Sequence, residues 1–83
     1  MTGGIATTDT LVTTTAFDAA ALSTNVAVTL SGDATATVDL DGAQEISAVN
    51  ITSAGSGYSV GDIVTVAEDG GAGAGSFRVA SIS

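Results

Sequence analysis

Residues 25–40 read NVAVTLSGDATATVDL. Val26, Val28 and Leu30 alternate with Ala27 and Thr29, and Ala34, Ala36, Val38 and Leu40 alternate with Thr35, Thr37 and Asp39. A period of two belongs to a strand with one face buried, because successive side chains point to opposite sides. Between the two runs, Ser31-Gly32-Asp33 supplies turn chemistry, so the segment reads as a β-hairpin with an apolar face and a Thr/Asp face.

The same pattern extends downstream. Gly42, in Leu40-Asp41-Gly42-Ala43, can take positive φ and makes the next turn. Ile46 to Ser53 is a third strand, with Val49 and Ile51 on one face and Ala48 and Asn50 on the other. A Gly-rich loop over 54–62 leads to the strongly β-prone Ile63-Val64-Thr65-Val66. Residues 68–75 form a second flexible connection, and Phe77 to Ile82 a last strand with faces Phe77/Val79 and Arg78/Ala80/Ile82.

Upstream the pattern weakens. Phe17 to Leu22 is the one helix-like stretch, too short to stand alone, and reads as one helical turn or a loop packing Phe17 and Leu22. Residues 1–16 are Thr-rich, with only Ile5, Leu11 and Val12 as large aliphatics. They read as an extended N-terminal arm, pairing as a strand near Asp9–Thr15. The arm is expected to be mobile in the free protein and ordered against a neighbouring chain. The organisation is thus an arm over 1–16 and one small β domain over 17–83. The fold class is all-β, a small antiparallel β-sandwich or barrel. No repeat of fixed period stands out.

Composition narrows the chemistry. The 83 residues include no His, Cys, Trp, Lys or Pro, and one Arg stands against nine acidic residues for a net charge of −8. Without Cys there is no disulfide, thiolate nucleophile or zinc–sulfur site. Without His or Lys, the Ser and Thr hydroxyls have no ready activating base, so no enzymatic activity is expected. A pI near 4.1 argues against nucleic acid and against an anionic membrane surface. Apolar runs are far shorter than a membrane span, and Met1-Thr2-Gly3-Gly4 carries no basic region of a secretory signal. A mean hydropathy of +0.50 places the chain among folded sequences. Its core is thin: 15 Ala accompany 20 Val, Ile, Leu and Phe. Support from another copy or a larger assembly is therefore expected.

Candidate motifs dissolve on inspection. No Gly-x-Gly-x-x-Gly fits residues 70–75, because Ser76 stands where the third Gly is needed, and a phosphate-binding Lys is missing. Asp39, Asp41 and Glu45 surround one turn and Glu68 and Asp69 another. Asp39-x-Asp41-Gly42 is a fragment of a calcium-loop pattern without its later ligands. These carboxylates read as a solubilising surface, and equally poorly as a glycosidase pair. No metal or cofactor is expected. Asn50-Ile51-Thr52 matches a glycosylation sequon inside a strand and is taken as coincidence. Arg78, the lone cation, is expected either to pair with a carboxylate or to stand exposed on its strand. Its partner would be Asp62 or Glu45 within the domain, or a group across an interface.

The run Ile51-Thr52-Ser53-Ala54-Gly55-Ser56-Gly57-Tyr58-Ser59-Val60-Gly61-Asp62-Ile63-Val64-Thr65-Val66 resembles segments in virion structural proteins of tailed phages, those of marine cyanobacteria in particular. The Gly-rich connection and Ser76-Phe77-Arg78-Val79 fit the same pattern, so the resemblance spans about residues 46–82. Independently of it, Gly55 and Gly57 permit a tight reversal, and Tyr58 can lay its ring over the sheet end with its hydroxyl in water. The resemblance implies a capsid decoration (cement) protein on the virion surface. It would bind the outside of the major capsid protein and self-associate as a trimer or act as a multicopy monomer. Leu11, Val12, Tyr58, Phe77 and Arg78 are the residues expected at the interface. A head–tail connector, tail or fibre module is the alternative. A calcium- or carbohydrate-binding module ranks below both, since one Tyr and no Trp offer little for sugar stacking.

Overall fold

A computed structural model describes residues 3–83, in which six strands form one antiparallel sheet. The strands are β1 (Ile5–Thr15), β2 (Val26–Leu30), β3 (Thr35–Leu40), β4 (Ile46–Ser53), β5 (Ile63–Glu68) and β6 (Ala74–Ile82). Their order across the sheet is β1-β6-β5-β2-β3-β4. Strands β2, β3 and β4 follow one another as a meander, and the chain then crosses back to lay β5 beside β2, a Greek key.

The sheet curls until its two edges meet, and the result is a nearly closed barrel. Across the seam, the Ile5 N–H donates to Ala54 O at 2.9 Å, and the Ile46 N–H donates to Thr13 Oγ1 at 2.8 Å. Curling of this kind shields the edge strands that a flat sheet would leave open.

The alternation of the sequence becomes the inside of the barrel. Val28, Leu30, Ala36, Val38, Leu40, Val64, Val66, Phe77 and Val79 all lie in the core, together with Ile5, Phe17, Ala34 and Ile46. Opposite them, Thr29, Thr35, Thr65 and Ala67 are exposed. The β3–β4 register places Val38 opposite Val49 and Ala36 opposite Ile51, so Val49 and Ile51 share the inward face as their spacing predicts.

Three expectations change. Residues 5–15 belong to the barrel: β1 pairs along β6 from Ile5↔Ile82 to Thr15↔Ala74, with Ile5 only 2% exposed. The ladder carries four register shifts, and Thr10 sits at φ +50. Bulges of this kind let a strand with few apolar side chains follow a strongly curved neighbour. Met1 and Thr2, the first residues of the expected arm, lie outside the described residues.

Phe17 to Leu22 forms no helical turn. It is irregular backbone within the β1–β2 connection, which closes one end of the barrel. Phe17 enters the core at 2% exposure, but Leu22, with φ +63, points outward and is 72% exposed. Strand β6 begins at Ala74 rather than Phe77, and Ile82 packs against the core instead of facing away with Arg78. Gly75 allows the earlier start, because a Cβ there would collide with the Val12 carbonyl of β1.

Both described ends of the chain lie at the other end of the barrel. Gly3 N–H donates to Ser83 O at 3.2 Å and Ser83 N–H to Gly4 O at 2.9 Å.

Candidate functional site

The carboxylates act first as fasteners of the fold. Glu68, at the end of β5, accepts three backbone hydrogen bonds. Its Oε1 takes the Asp18 N–H at 2.8 Å and the Gly73 N–H at 3.1 Å, and its Oε2 takes the Ala19 N–H at 3.0 Å. Asp18 Oδ2 in turn accepts the Ala72 N–H at 2.9 Å. From the other side, Gln44 Nε2 donates to Phe17 O and Ala19 O, and the Phe17 N–H donates to Gln44 O. The connection that carries Phe17 into the core is thus clamped between two polar side chains. A Cβ at Gly73 would lie 2.5 Å from Phe17 Cγ, so that glycine makes room for the ring.

The other acids have comparable duties. Asp41 Oδ1 accepts from the Ala43 and Glu45 N–H groups and holds the β3–β4 turn. Asp39 Oδ1 accepts from the Asn25 N–H and from Asn50 Nδ2, which fixes the sequon asparagine on the sheet. Asp69 Oδ1 accepts from Thr29 Oγ1 at 2.6 Å. Among the described residues no group of three or more acidic side chains is placed to hold a metal ion.

Arg78 pairs with Asp9, not with Asp62 or Glu45. Its Nε donates to Oδ1 at 2.9 Å and its Nη2 to Oδ2 at 3.1 Å, a two-pronged contact across β1 and β6. Both side chains remain about two-fifths exposed. Sequence reasoning missed Asp9 because it treated β1 as an arm outside the domain.

The remaining interface candidates scatter. Phe77 is 0% exposed at the barrel centre and offers no surface. Leu11 is half-buried against the core, and Val12, on the same strand, is 42% exposed. Tyr58 lies at the opposite end from Phe17, in the β4–β5 crossover. Its hydroxyl is tied into the protein, donating to Ser31 O at 2.8 Å and accepting the Ala34 N–H at 3.0 Å. Its ring passes against Gly32, where a Cβ would collide. The tyrosine therefore buttons the crossover to the β2–β3 turn.

Beside Tyr58 opens a cleft of about 320 Å³. Its walls are the β2–β3 turn at 31–33, the crossover at 56–58 and the start of β5 at 62–64. Asp33 stands on one wall and Asp62 on another, with Ile63 next to it. Ile63 is 62% exposed, as is Val60 nearby in the crossover at 58%. Asp62 shapes this loop, since its Oδ2 accepts the Ser59 N–H at 2.9 Å. Here an exposed aliphatic, Ile63, and two acidic residues, Asp33 and Asp62, line one concave surface.

No protein-family model, curated protein or solved structure matches the chain.

Proposed function

We propose that the chain is a non-enzymatic structural protein of a virion, a decoration protein bound outside the shell of the major capsid protein. The observation that carries this reading is the placement of Val60 and Ile63. They lie in the segment that resembles phage virion modules, and there they are 58% and 62% exposed. Of the two, Ile63 lines a concave surface, and an exposed aliphatic there suits a protein–protein contact.

The rest of the barrel supports a structural role. Every acid but Glu45 accepts a hydrogen bond within the fold, most of them in turns and loop clamps, and the one Arg is held in an ion pair.

The test is the copy number of this chain in purified virions by quantitative mass spectrometry. A count comparable to that of the major capsid protein supports decoration. A handful of copies moves the protein to a connector, tail or fibre. Absence from the particle overturns the reading.

A further inference from the structure

We propose that residues 3–19, which are β1 and the loop that carries Phe17, exchange between two copies of the chain. The product is a domain-swapped dimer hinged at Ala20–Leu22. The proposal goes beyond the virion reading and does not depend on it.

The hinge is the first argument. The Ser23 N–H donates to Ala20 O at 3.2 Å, which closes a β-turn over Ala21 and Leu22. Leu22, the third residue of the turn, sits at φ +63. A turn of this kind reserves that place for Gly or Asn, because a Cβ there strains the backbone. Burial gives Leu22 nothing in return, since it is 72% exposed. Ala20 and Ala21 are exposed as well, so the turn can straighten without disturbing the core. Straightening gives up two backbone bonds, from Ser23 N–H to Ala20 O and from Leu22 N–H to Asp41 O, and exposes those groups to water. Strained connections of this type favour swapping, which releases the strain and keeps the other contacts.

The way β1 is attached is the second. Its only ladder is with β6. Against β4 it is held by the bond from Ile5 N–H to Ala54 O and the bond from Ile46 N–H to Thr13 Oγ1. Of the buried core residues, only Ile5 and Phe17 belong to the exchanging segment. The strands it leaves behind, β6-β5-β2-β3-β4, stay contiguous in the sheet.

The vacated socket fits one occupant. Arg78, the only cation of the chain, grips Asp9 through two hydrogen bonds. Glu68 accepts from the Asp18 and Ala19 N–H groups, and Gln44 donates to Phe17 O and Ala19 O. Gly73 leaves room for the Phe17 ring and Gly75 for the Val12 carbonyl; a Cβ at either would collide. The same segment of a second copy makes every one of these contacts. Two chains of net charge −8 repel, and physiological salt screens that repulsion beyond about 8 Å.

The test refolds the intact chain at high concentration in physiological salt and reads the dimer fraction by sedimentation velocity. Leu22→Gly accepts positive φ and removes the strain, so dimerisation should weaken roughly fivefold or more at each of the two hinges. Leu22→Pro, with φ fixed at about −65°, cannot form the closed turn and should raise the dimer fraction above that of the parent. Asp9→Arg and Arg78→Asp each place like charges across β1 and β6. Refolded together, these two variants should yield a one-to-one dimer by native mass spectrometry, well above its statistical share. Exchange restores an opposite-charge pair in both of its barrels, whereas association through any other surface restores none.

The inference is overturned if the parent and Leu22→Gly show the same dimer fraction, if Leu22→Pro folds as a monomer, or if the mixture gives no excess of the mixed dimer. Should Leu22→Pro fail to fold, the glycine variant and the mixture decide alone. None of these outcomes depends on virion copy number, so the two proposals fail separately.

Discussion

Removing the Glu68 carboxylate should release the loop that seats Phe17. In Glu68→Ala, the N–H groups of Asp18, Ala19 and Gly73 lose an acceptor, at former distances of 2.8, 3.0 and 3.1 Å. Hydrogen bonds to charged groups contribute about 1.5–3 kcal/mol each where water is excluded. Here Glu68 is half-buried and the Asp18 N–H bond is exposed, so water replaces part of the loss. About 0.5–1 kcal/mol per bond is the fitting scale, or ~2 kcal/mol for the three together. If the loop lifts far enough to unseat Phe17, the cost approaches the ~3–5 kcal/mol of a Phe→Ala change in a core. A domain of this size loses roughly 4–8 °C of Tm per kcal/mol, so Glu68→Ala should melt about 10–15 °C below the parent. Glu68→Gln, which keeps one carbonyl oxygen, should fall between the two. Circular dichroism gives the midpoints, and hydrogen exchange shows whether the Asp18 and Ala19 amides lose protection first. A Glu68→Ala midpoint within about 2 °C of the parent would refute the reasoning, leaving Phe17, Gln44 and the Asp18–Ala72 bond as the fastening.

Gly75→Ala places a methyl against the Val12 carbonyl and 2.9 Å from Ile46 Cδ1, and should cost about 3 kcal/mol or more in urea unfolding. Arg78→Ala breaks a partly exposed pair, so the free protein should lose at most about 1 kcal/mol, read from the same unfolding curves. Amides of β1 that face β6 should exchange slowly in a proven monomer; uniform fast exchange over Thr7–Thr15 would instead restore the picture of a free arm.

How far the sequence could be read depended on whether a residue's role was local. In β2, β3 and β5, alternating apolar residues face a single core, and period two was enough to find them. Strand β1 carries no such signal. Only Ile5 of its eleven residues is buried, and its partner β6 lies at the far end of the chain. The strand is held by its ladder with β6 and by Ile5 and Leu11 against the core, with the Asp9–Arg78 pair across the two strands, a pairing that composition does not reveal. Phe77 looked available because a lone aromatic near the chain end says nothing about which face closes the barrel. Glu68 was equally opaque: a surface acid and a three-bond clamp have the same letter, and the distinction arises only when residues 18, 19 and 73 converge on it. The cleft was half legible. Gly55, Gly57 and Tyr58 announced a reversal, but Asp33 joined Asp62 only through the Greek-key crossover.

The backbone bonds between Gly3–Gly4 and Ser83 give the barrel a polarity of use. Entry and exit of the chain share one pole, and Gly3 also receives the Tyr58 N–H, so that pole is the one with the cleft. A peptide or protein fused before Gly3 or after Ser83 therefore emerges beside the cleft. The turns at Asp41–Gln44 and Asp69–Gly73 mark the opposite pole, and a label there stands a full strand length away from it. Joining the ends with a short linker and opening the chain at Gly70 should yield a circular permutant with the same barrel, since Gly70 is exposed and a Cβ there meets nothing. Such a permutant would carry its fusion partners away from the cleft.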